Sequence, residues 1–143
     1  MIPTPSYLQN TEAVLKAFGY WPSFHDAPVL GFNYVEGGGG AIAFTLHGME
    51  MTRQVDDHGY LKLIKHHLVR FAFHEISEAD LQQFALSNTL FEMGFSSPAE
   101  FEAVGKFRVM LESALGGDLS GSFSARTGEV LEVAPCDEKG HKT

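Results

Sequence analysis

Along this 143-residue chain, hydrophobic positions alternate in twos more often than they recur in threes and fours. Residues 41–47 show it best. Ile42, Phe44 and Leu46 fall on one side and Ala43, Thr45 and His47 on the other, which is the period of a half-buried strand. Residues 63–76 repeat the pattern, with Val69, Phe71 and Phe73 opposed to Arg70, Ala72 and His74. Residues 88–95 group Thr89, Phe91, Met93 and Phe95, and residues 106–113 group Phe107, Val109 and Leu111. Weaker strand signals cover residues 28–35, 119–125 (Leu119 and Phe123 inward) and 129–134. Seven strands are expected.

Helical signals are short. Asn10 or Thr11 can cap a helix that runs to Phe18, with Val14, Leu15 and Phe18 on one face. Ser97 before Pro98 and Glu100 is a helix start with room for two turns before Gly105. Residues 77–80, flanked by Ile76 and Leu81, resemble a third start. Gly37 to Gly40 reads as a hairpin connection; without a following helix and a GK[ST] it is no phosphate loop. Residues 49–62 read as an exposed polar loop, and Arg126-Thr127-Gly128 as a hairpin turn. Residues 1–9 read as an irregular arm and residues 136–143 as a charged, mobile tail.

The expected fold class is therefore α+β, one domain over 1–143 with its folded core over 10–135. A mostly antiparallel sheet of about seven strands carries a short N-terminal helix and one or two further short helices.

Residues 18–26, Phe-Gly-Tyr-Trp-Pro-Ser-Phe-His-Asp, hold the densest unusual chemistry. Gly19 suits a helix C-terminus, and Pro22 forces Trp21 into an extended conformation. Trp21 and Phe24 are large enough to pin the loop to a core. His25 and Asp26 then sit on a rigid segment. The carboxylate can fix the imidazole tautomer, or simply cap a turn.

Net charge is −8. Residues 1–75 carry five basic and seven acidic side chains, residues 76–143 five and eleven, so the second half is the more acidic. This balance repels nucleic acid and anionic membrane and favours a basic protein partner. The single cysteine, Cys136, excludes an intrachain disulfide and fits a reducing compartment. No apolar run approaches the length of a membrane span, and no N-terminal signal is present, so a cytoplasmic location is expected.

Seven histidines occur, but no HExxH, HxH or CxxC spacing, and no G-x-S-x-G elbow. His66 and His67 point to opposite faces if extended. No catalytic residue, metal site or cofactor is expected. One enzymatic alternative stays open: a metal-dependent or acid/base enzyme built on His25 and Asp26, paired in space with His47 or His74.

The run from Phe18 to Leu30, FGYWPSFHDAPVL, resembles the N-terminal signature of the immunity protein 50 family of bacterial polymorphic toxin systems. Similar patterns follow over residues 69–95 and 116–135, so the likeness extends over most of 10–135. The glycine run and the tail depart from it. The resemblance implies a small cytoplasmic protein that binds and neutralises a cognate toxin. It supplies no catalytic residues, and Trp21, Phe24, His25 and Asp26 match its motif. If the partner is basic, Glu78, Asp80, Glu92, Glu100 and Glu102 are the candidate docking patch. A protein-interaction domain with a partner other than a toxin is the remaining alternative.

Overall fold

A computed structural model describes residues 2–114 and 116–143. The architecture is one mixed nine-stranded sheet with two short helices. The strands are β1 (Leu8–Gln9), β2 (Pro28–Val35), β3 (Ala41–Val55), β4 (Leu61–His74), β5 (Ser77–Gln82), β6 (Asn88–Phe95), β7 (Phe107–Ser113), β8 (Ser120–Ala125) and β9 (Thr127–Pro135). The helices are α1 (Glu12–Phe18) and α2 (Pro98–Val104). The order across the sheet is β1-β9-β4-β3-β2-β6-β7-β8-β5, and among the described residues only the β1–β9 pairing is parallel.

The sheet folds over on itself. Between β2 and β6 only Pro28–Thr89 and Val29–Asn88 are paired, so this seam is a corner. At the opposite side β4 runs into β5, and β8 into β9, as one bent ribbon: His74 pairs with Thr127 and Ser77 with Ser124. The two halves then face each other across the core. Phe73 of β4 meets Phe123 of β8 at 5.3 Å between ring centroids and Phe107 of β7 at 6.1 Å. Ile42, Phe44, Leu46, Val69, Phe71 and Phe73 are all buried, as their alternation requires.

Several expectations are corrected. The strand count is nine, because the arm contributes β1 and residues 77–82 form β5. That segment was expected to start a helix. Its single turn is too short to sustain itself, while the open edge of β8 offers backbone partners, Asp80 to Ser122 and Leu81 to Gly121. Residues 49–62 are not a loop but the outer part of the β3–β4 hairpin, paired Met51 to Leu63 and Val55 to Leu61. The Asp56 carboxylate closes its tip by accepting from the backbone N–H of His58 and Tyr60.

Arg126 lies not in a hairpin but in the crossing between the halves, since β8 pairs with β5 and β7 while β9 pairs with β4 and β1. Alternation in β6 breaks at Phe91. Leu90 pairs with Ser113 and Glu92 with Glu112, a bulge that buries Leu90 and Met93 and leaves Phe91 42% exposed. The C-terminal segment, expected as a mobile tail, forms a turn. Cys136 bridges to Lys142, and Asp137 accepts from the backbone N–H of Lys139 and His141. This buries Cys136.

Candidate functional site

Helix α1 presents Val14 and Phe18 to the core and stops at Gly19, whose φ of 86° lets its N–H return to the Leu15 carbonyl. The chain then crosses the open end of the core as the 18–26 loop. Trp21 and Phe24 are buried there in edge-to-face contact with each other, and both meet Phe71 the same way. Backbone bonds stitch the loop to β6: Met93 N–H donates to Ser23 O and Leu90 N–H to Ala27 O. The sequence expectation that aromatic side chains pin this loop is met.

Two non-glycine residues in the loop hold positive φ, Phe24 at 59° and Asp26 at 61°. Such conformations cost of order 1 kcal/mol each and persist when the surroundings enforce them. Here the buried Phe24 ring and the Ala27 N–H to Phe24 O bond enforce them. The strained pair flanks His25 and turns it outward. His25 and Asp26 are about half exposed, with Nδ1 to Oδ2 at 3.1 Å. The imidazole edge rests on Phe91 at 4.9 Å. The bulge that exposes Phe91 thus supplies the platform for His25.

The loop faces the β3–β4 arm across a groove of about 330 Å³. Tyr20 donates its hydroxyl to Glu50 Oε1 at 2.6 Å. Lys65 ties the same carboxylate at 3.3 Å and the last carbonyl of α1, Phe18 O, at 2.7 Å. Burial, then the Glu50 bond and charge, push the Tyr20 phenol up to about 12. The bond from Tyr20 and the Lys65 ammonium hold Glu50 low. Met51 and Leu63 line the groove, and beyond it the arm carries Val55, Tyr60 and Leu61 into solvent, with Val55 62% and Tyr60 72% exposed.

A wider cleft of about 850 Å³ lies along the arm and reaches the C-terminal turn. His47 of β3 and His66 of β4 line it, with Nε2 to Nδ1 at 2.9 Å. Burial first, then the neighbouring imidazole, hold His47 below its usual pKa, against the opposing pull of Asp137. His67 points the other way and packs on Phe18, as an extended His66-His67 pair must. The pairing of His25 with His47 or His74 that the enzymatic alternative requires is not formed: His25 touches Asp26 and Phe91, His47 meets His66, and His74 pairs across strands with Ala41 and Thr127. Among the described residues no three His, Cys, Asp or Glu side chains converge as a metal-binding group.

The five acidic candidates are divided by the fold. Glu78 of β5 and Glu100 of α2 line one cleft, shared with Lys106 and Arg108. Arg108 is held by the Ser122 and Ser124 hydroxyls and approaches Glu78 at 3.9 Å. Glu92 stands opposite Glu112 on β7, a like-charge pair that sequence reading missed. Asp80 accepts from the Gln82 amide, and Glu102 is exposed on α2. Sequence reading also missed the arm, because its polar composition masked the hairpin register. It missed the His47–His66 pair because that register alone brings the two residues together.

No protein-family model matches the chain, and neither a curated protein nor a solved structure matches it. No helix among the described residues is long and apolar enough to cross a membrane.

Proposed function

We propose that this chain is a non-enzymatic binding protein of the immunity type, which engages and neutralises a cognate bacterial protein toxin in the cytoplasm. The observation that carries the binding role is the β3–β4 arm beside the 18–26 loop. A two-stranded ribbon that sets Met51, Val55, Tyr60, Leu61 and Leu63 in water leaves apolar area uncovered until a partner covers it. Tyrosine and methionine on a braced ribbon suit the anchor role in a protein interface, with the aliphatic side chains around them excluding water. Tyr20, Glu50 and Lys65 supply the brace. The resemblance of residues 18–30 supplies the toxin as partner, and the net charge of −8 favours a basic one. Glu78 and Glu100 are the acidic candidates that share a surface, although Lys106 and Arg108 partly offset them.

The test is protection. The toxin-like product of the adjacent gene is expressed in susceptible cells with and without this chain, and survivors are counted. Rescue with a co-purifying complex is the expected result, and Tyr60→Ser with Leu61→Ser should abolish both while leaving the fold intact. Absence of rescue and of a complex overturns the toxin reading. Rescue that survives the double substitution moves the interface away from the arm.

A further inference from the structure

We propose that His47 and His66 form a binding site for a divalent transition cation of the zinc, nickel or copper class. The site is independent of the toxin reading. The two imidazoles come from adjoining strands, and their ring nitrogens converge at 2.9 Å. Such a contact holds one proton between two nitrogen lone pairs. A tautomeric shift in whichever ring donates presents both nitrogens as acceptors without changing the charge of either ring.

A tetrahedral cation at metal–nitrogen distances of about 2.0–2.1 Å sets its two ligands about 3.3–3.4 Å apart. The pair therefore has to open by about half an ångström, and each ring has to turn its lone pair off the N–N line toward the cation. His66 is only half-buried, so it has room to move.

Four features favour a cation over a mere hydrogen bond. His47 is 4% exposed and packed against the C-terminal turn, where a side chain on Gly140 would lie 3.3 Å from Nδ1, so Nε2 is fixed toward His66. Burial keeps His47 in the neutral form that metals require. Asp137 adds negative potential from the same turn. The pair also faces the 850 Å³ cleft, which gives access and room for water to complete the coordination sphere. Imidazole donors select zinc, nickel and copper and discriminate against magnesium and calcium.

The test uses the full-length, untagged chain, since added histidines would bind the same metals. Zinc, nickel and magnesium are titrated separately by calorimetry, with melting temperature as a second readout. One equivalent of zinc or nickel should bind and raise the melting temperature, and magnesium should do neither. His66→Ala should weaken uptake at least tenfold while melting like the parent without metal. If that variant misfolds, His66→Gln carries the same expectation. His25→Ala should leave uptake unchanged. In the parent, zinc should shift the nitrogen resonances of His47 Nε2 and His66 Nδ1. No saturable uptake overturns the proposal, as does uptake preserved in the His66 variant or lost equally in His25→Ala.

Discussion

The Tyr20 hydroxyl reaches Glu50 Oε1 at 2.6 Å across thirty residues of chain, and so locks the 18–26 loop to the β3–β4 arm. Because the phenol is raised from 10 to about 12 by burial first and Glu50 second, its titration reports the lock. A folded pKa above the unfolded one means the contribution to stability is complete below pH 10 and is lost as pH rises through 12. Ultraviolet titration of the folded chain should show a midpoint near 12 that Tyr20→Phe removes. Glu50→Gln removes the charge and leaves the burial, so that midpoint should fall but remain above 10. An unchanged midpoint would mean that Glu50 does not hold the phenol.

Trp21 and His25 lie four residues apart and should behave oppositely. Trp21 is buried against Phe24, Phe71 and Phe95, so Trp21→Ala should cost about 3–5 kcal/mol in urea denaturation. His25 is half exposed, and His25→Ala should change stability by no more than about 0.5 kcal/mol. If His25→Ala is neutral for stability yet weakens partner binding, the His25–Asp26 pair is a contact and not a structural cap. A loss of stability comparable to Trp21→Ala would assign it to the fold.

How far the sequence carries follows from where each signal is stored. Phe44, Phe71 and Phe73 face a continuous core, so a two-residue period locates them without further knowledge. Ser97 and Pro98 specify α2 locally, and the Ser97 hydroxyl does accept from Glu100 N–H. Phe91 could not be placed, because a bulge is a property of two strands together and β7 enters the chain later. Residues 77–82 carry a local helix signal that pairing with β8 overrides. The site divides the same way. The 18–26 loop announces itself through its aromatics, whereas the arm and the His47–His66 pair depend on hairpin register, which polar composition hides.

Acid should act in part through Asp118, as it does through Glu50, Glu132 and Asp137, whose carboxyls are also held low. The Asp118 carboxylate accepts from the Ser113 hydroxyl and from Thr89 N–H at 2.8 Å, and these bonds hold its pKa below the usual value. A depressed folded pKa contributes stability that is present above about pH 4 and lost as pH falls through the folded value. Asp118→Asn should lower stability at pH 7 and flatten its dependence on pH below 4, as read by urea midpoints across that range. An acid limb that keeps its slope in the variant would place the titration elsewhere.

Gly121 makes the sharpest test of the edge strand. A Cβ there would stand 1.9 Å from the Asp80 carbonyl oxygen, and its φ of 131° is one that side chains rarely adopt. The obstacle is backbone, so β5 must move away from β8 to admit even a methyl group. At Gly128 the nearest atoms are the side chains of Leu8 and Phe73 at 2.7 and 2.8 Å, which can rotate at some cost to packing. Gly121→Ala should therefore cost more than Gly128→Ala, which itself should cost about 1–3 kcal/mol. The two should also differ in kind. Gly121→Ala should speed amide exchange across residues 77–82 while leaving β3 and β4 protected, because β5 is an edge strand paired with β8. Gly128→Ala should loosen β1 and the Phe73–Phe107 contact instead. Equal costs and identical exchange patterns would show that β5 is not seated against Gly121.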